Sequence, residues 1–172
     1  MHNKEQVTMN NIQDTNIEIV PIEHASLILD WEGVFIYTDP VGKVSLFASK
    51  PDPDIILLTD IHGDHLDLER LQALTKEKTI IIAPQAVADK IPENLKSKVS
   101  VMNNGEVAEK GGFKIEAIPM YNLPGPSQNY HTKGRGNGYV VSKGDTRIYI
   151  SGDTAGTPEM RALQNIDIAF VA

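Results

Sequence analysis

From Leu57 to Asp67 the chain reads Leu-Leu-Thr-Asp-Ile-His-Gly-Asp-His-Leu-Asp, placing Asp60, His62, Asp64 and His65 within six positions. Imidazole and carboxylate are ordinary ligands of zinc, manganese and iron, so the chemistry these types suit is the holding of a divalent ion. Side chains alternate along an extended segment, so Asp60, His62 and Asp64 lean one way. His65 joins them where the chain turns, and Gly63 permits a turn. Two carboxylates about 5 Å apart repel by roughly 3 kcal/mol at an effective dielectric near 20, which calls for a cation. The plainer alternative makes Asp60, Asp64 and Asp67 turn and cap residues and the histidines incidental. Four such groups directly behind the apolar run 55–58 argue against it.

Other candidates are scattered. His131 stands alone in a loop, where spacing assigns it nothing. Asp153 follows a strand in Tyr149-Ile150-Ser151-Gly152-Asp153-Thr154, and open α/β sheets place functional groups at such strand ends. An Asp there equally suits the cap of a helix starting near Pro158. Asp39, after a strand and before Pro40, has the same two readings. Lys133 and Arg135, set among glycines, suit an anionic substrate group or a solvated loop. Tyr121 and Tyr130 divide in the same way between substrate contact and loop packing.

The elements that must position these residues follow from apolar patterning. Residues 17–22 and 25–31 read as strands, and 34–38 returns after Glu32-Gly33, so 24–38 is a hairpin buried on both strands. A strand at 55–59 leads into the cluster, and Asp67 opens a helix with Glu69 in its first turn. Residues 79–83 form another buried strand and 84–90 a short helix behind Pro84, which together suggest a βαβ unit. From Val99 the pattern changes to short strands at 99–102, 106–108 and 113–119, divided by Asn103-Asn104-Gly105 and Gly111-Gly112. A loop from Met120 to Asn137 is long enough to be functional. A hairpin at 138–142 and 147–150, a helix around 158–164 and a buried strand at 166–171 complete the chain.

Composition bounds the reading. The 172 residues suffice for one domain or part of a larger one, with 23% charged and 41% hydrophobic residues, as in a globular protein. Sixteen Lys and Arg against 23 Asp and Glu, with no basic run, exclude a nucleic-acid backbone as the expected partner. Absence of cysteine removes disulfides and thiolate sites, leaving N and O ligands for any metal. Residues 1–15 are polar and read as a flexible tail ahead of a domain at 16–172. No secretory core and no run of roughly 18 apolar residues is present, which gives a cytoplasmic expectation without a membrane span; a signal removed earlier would place the chain in the periplasm or outside the cell.

An apolar strand ending in x-His-x-Asp-His, a later loop histidine and a strand ending in Gly-Asp-Thr resemble the metallo-β-lactamase superfamily. His24-Ala25-Ser26, Asp39-Pro40 and residues 149–154 are similar to its lactonase-like branch, with ascorbate-phosphate lactonase-like and N-acyl-phosphatidylethanolamine phospholipase-like hydrolases. The resemblance implies an α/β fold, the four-layer αβ/βα sandwich, with its C-terminal part missing. It implies one or two ions of zinc, manganese or iron. Asp60, His62 and His131 would hold the first, Asp64 and His65 the second, with Asp153 bridging, and His24 and Asp39 would support them. Asp64 and Asp153 would also orient the attacking water on a small, anionic ester, lactone or phosphodiester.

Two departures stand out: Asp60 where the family carries His, and no histidine after His131 to complete the second site. The alternative is therefore an impaired metal-binding or interaction protein that keeps the fold. A homo-oligomer or a completing chain is the partner that would restore the site, and an open sheet edge predicts self-association.

Overall fold

The computed structural model describes residues 10–11 and 15–172. Two sheets stack face to face. The first runs in chain order through β1 (Asn10–Asn11), β2 (Ile17–Glu23), β3 (Ser26–Trp31), β4 (Val34–Thr38), β5 (Ile55–Leu57), β6 (Ile80–Ala83) and β7 (Val99–Val101). Neighbours are antiparallel from β1 to β4 and parallel from β4 to β7. The second sheet, built from β8 (Val107–Lys110), β9 (Phe113–Met120), β10 (Gly136–Lys143), β11 (Thr146–Ile150) and β12 (Ile168–Phe170), is antiparallel except for the β11–β12 pair.

The period of two along a strand sorts the apolar residues into two cores. Ile55 and Leu57 face the second sheet, where they meet Phe113, Ile115, Tyr139 and Ile148. Ile56 and Leu58 face the other way, onto Leu71, Val87, Ile91 and Leu95. Those last residues come from α1 (Leu68–Leu74), α2 (Gln85–Ala88), α3 (Glu93–Lys96) and the turns between them. A parallel strand covered on both faces has no polar side, which is why β5 and β6 read as unbroken apolar runs. The β5–α1–β6 unit is the expected βαβ crossover. A fourth helix, α4 (Pro158–Arg161), packs against β9. Among the described residues no helix is long and apolar enough to cross a membrane.

Several boundaries differ from the sequence expectation, each for a local reason. β5 stops at Leu57 because the Thr59 amide leaves the ladder and donates to Asp39 Oδ1 at 2.8 Å. β10 starts at Gly136, two residues early, and the Asn137 amide crosses to the Thr59 carbonyl at 2.9 Å. The helix α3, announced only by Pro92 and Glu93, escaped the pattern. The last strand, expected at 166–171 and buried, is limited to Ile168–Phe170 and only half covered. It pairs with β11 along one edge, and no strand among the described residues pairs with the other. The expected tail at 1–15 falls mostly outside the described residues; within it Asn10 and Asn11 pair with Ile19 and Glu18.

Candidate metal centre

Behind β5 the chain turns tightly, with the His65 and Leu66 amides both donating to the His62 carbonyl at 3.0 and 2.8 Å. Gly63 lies within this turn at negative φ, so the turn does not draw on the freedom that glycine offers. Asp67 caps α1, accepting from the Arg70 amide at 2.9 Å, and so ends the cluster as the expected helix start. The second sheet supplies the opposite wall. His131 lies in the loop between β9 and β10, where its carbonyl accepts from the Asn122 amide at 2.9 Å. Asp153 follows β11. The cap of α4 is Thr157, which accepts from the Met160 amide, so Asp153 is not spent as a helix cap.

Two groups of donor atoms result, Asp60 with His62 and His131, and Asp64 with His65 and Asp153, each lying within 4.8 Å of one another. The resemblance implied these groupings with Asp153 bridging; here Asp153 lies with the second group, and the two groups meet where the sheets meet. His131 Nε2 stands 3.7 Å from Asp60 Oδ2 and 3.5 Å from Asp153 Oδ2, joining the groups.

His65 is buried, with Nδ1 at 2.7 Å from Asp39 Oδ2 and Nε2 at 3.2 Å from Asp153 Oδ2. Burial opposes an imidazolium here, but the hydrogen bond and charge of Asp39, with Asp153 beside them, outweigh it and lift the pKa to about 9. Asp39 is itself fully buried at φ 40, and it accepts from the Thr59 amide and hydroxyl. Burial raises its carboxyl, against the pull of His65 and Thr59. This is the carboxylate behind a histidine that typically orients a ligand. His131 contrasts with it. Both of its ring nitrogens are inaccessible and lack a hydrogen-bond partner, and burial lowers its pKa. Orphaned imidazole nitrogens beside two carboxylates fit a cation, as does the mixed N and O donor set.

Asp60 is wholly buried and is held by Arg135 in a bidentate pair, Nε to Oδ1 and Nη2 to Oδ2, both 3.1 Å. Its Oδ2 also lies 2.8 Å from His62 Nδ1. Lys133 points elsewhere, pairing with Glu159 and lying 4.8 Å from the Tyr121 ring centroid. Tyr121 donates to the same Glu159 at 2.8 Å, and the hydrogen bonds from Lys133, from the backbone amide of Glu159 and from Tyr121 hold that carboxyl down at about 2. Lys133 and Tyr121 thus fasten the long loop to α4. Tyr130 is exposed and contributes its carbonyl to Arg135. His24 does not join the donors: its ring is 64% exposed and its Nε2 has only Glu23 nearby, at 3.7 Å. Thr59 and Glu159 were missed. Thr59 at least adjoins the cluster in sequence, whereas Glu159 looks like any first-turn acid.

Close packing around the centre depends on glycine. A Cβ on Gly152, at φ +58, would stand 2.5 Å from Met120 Sδ and 3.0 Å from Thr59 Cβ, and one on Gly138 would meet the Ile150 and Ser151 carbonyl oxygens at 2.9 Å.

Residues 18–172 match the family model described as the beta-lactamase superfamily domain. The chain belongs to the metallo-β-lactamase superfamily. A superfamily relative in Methanopyrus kandleri, named a UPF0173 metal-dependent hydrolase, is 25% identical over 86% of this chain and 66% of its own length. One from Pyrococcus horikoshii, of the same name, is 33% identical over 70% of this chain and 54% of its own. A crystal structure from Parabacteroides distasonis, provisionally named a metal-dependent hydrolase, is 40% identical with a TM-score of 0.82, over 90% of this chain and 69% of that one. The chain therefore spans between 54% and 66% of the length of these two curated relatives.

Proposed function

We propose that this chain carries the metal centre of a hydrolase acting on a small anionic ester, lactone or phosphodiester, with one or two divalent ions of zinc, manganese or iron. The convergence of six donor side chains from two sheets on one seam carries the reading. The names of the relatives support it. When bound, a divalent ion supplies Lewis acidity and lowers the pKa of water from 15.7 toward about 7.

The chain's own residues do the rest. Asp39 holds His65 Nδ1, so Nε2 is the nitrogen presented to the site. Asp64 is exposed and Asp153 half-buried, so both reach an incoming substrate. Asp153 uses Oδ2 toward the histidines, and its Oδ1 is the acceptor for the proton of the attacking water. Arg135 spends Nε and Nη2 on Asp60 and the Tyr130 carbonyl, leaving Nη1 to hold the anionic part of the substrate. An open cleft of about 360 Å³ lined by Asn122, Tyr130, His131 and Asp153 lies beside the donors.

Protein loaded with Mn²⁺, Fe²⁺ or Zn²⁺ is expected to turn over simple lactones or phosphodiesters, and Asp64→Ala to lose roughly 10²-fold or more. Failure to retain any metal sinks the proposal. The pairing of Asp60 with Arg135 favours one rival, a metal-binding protein without catalysis; metal retained with no turnover decides for it.

A further inference from the structure

The two donor groups differ in charge. Asp64, His65 and Asp153 bring two carboxylates, with the Asp39 carboxylate behind them and no lysine or arginine contact among their described ion pairs. Asp60, His62 and His131 bring one carboxylate, and Arg135 already neutralises it. A guanidinium is protonated at every pH the protein meets. Its planar fork matches a carboxylate in two parallel hydrogen bonds, and here both are made to a fully buried partner.

Arg135 is also fixed from its own loop. Its amide donates to the Thr132 carbonyl at 3.2 Å and its Nη2 to the Tyr130 carbonyl. The same Nη2 lies 3.5 Å from His62 Nε2. A dication among Asp60, His62 and His131 would face this permanent positive charge at close range and would draw on a carboxylate whose two oxygens are both committed.

We infer that Arg135 stands in for the first metal ion, so that the protein binds one divalent ion tightly, at Asp64, His65 and Asp153. The inference rests on the proposed metal-dependent activity but concerns the number of ions. Asp60 is then not a substitute ligand that retunes metal preference; it is the counter-ion that seats a built-in cation. The fixed charge also sits where a second ion would polarise substrate.

Metal-free protein is titrated with Mn²⁺, then desalted and assayed for bound metal, with Mn²⁺ electron paramagnetic resonance recorded alongside. One retained equivalent and an uncoupled mononuclear spectrum are expected, with any second ion binding at least 100-fold more weakly. Arg135→Ala, or Asp60→His/Arg135→Ala where the lone buried carboxylate prevents folding, is expected to retain a second equivalent and show an exchange-coupled pair. Two equivalents of similar affinity in the unaltered protein overturn the inference and leave the hydrolase reading standing. A folded variant that still retains one equivalent overturns it as well. No retained metal removes both.

Discussion

At the scale of single residues the centre is a set of pairs, each joining a group near the donors to one that fixes it. Asp39 and His65 form the most deeply buried of these pairs. Asn tolerates the left-handed backbone at position 39 and keeps the size of the side chain. Asp39→Asn is therefore expected to fold while losing its hold on the imidazole, and metal affinity by isothermal titration should fall about 10- to 100-fold. The donors themselves were legible: Asp60, His62, Asp64 and His65 announce themselves by crowding in one short stretch. The cation seated on Asp60 was not legible, because Arg135 is 75 residues away and a Gly-flanked arginine suits a solvated loop as well. Distance in sequence likewise hid the tie of Lys133 and Tyr121 to Glu159.

At the scale of elements, β10 and the end of β11, neighbours in the second sheet, are pressed together at a point where only hydrogen fits. The two atoms facing Gly138 are backbone carbonyl oxygens, which cannot rotate aside. Gly138→Ala should cost about 2 kcal/mol by overpacking, a fall of roughly 4–8 °C in Tm by calorimetry. Tyr139→Phe removes the hydroxyl that donates to the Leu58 carbonyl at 2.7 Å, and about 1 kcal/mol of stability should go with it in a urea titration. Apolar runs and turn residues made β3 to β6, α1 and the later hairpins readable, since burial on both faces and loss of the ladder leave plain marks in sequence. Strand ends near the site were misread because side-chain acceptors such as Asp39 capture amides that pattern alone assigns to the sheet.

At the scale of the whole molecule, the β12 edge and the seam between the sheets govern the behaviour expected here. Among the described residues β12 is bonded on one side only, and Phe170 within it is half covered. Association that grows with concentration in light scattering is the expected outcome. Across the seam, the first sheet lends Asp64 and His65 and the second lends Asp153, so an ion held by all three ties the sheets together. At a free concentration 100 times Kd such binding adds about 2.7 kcal/mol, and stripping the metal with a chelator should lower Tm by roughly 5–11 °C in differential scanning fluorimetry. Inside a cell that coupling reaches beyond chemistry. If the ion binds as proposed, a chain made under metal starvation is expected to open more often to proteases, so that metal supply would set how long each copy survives.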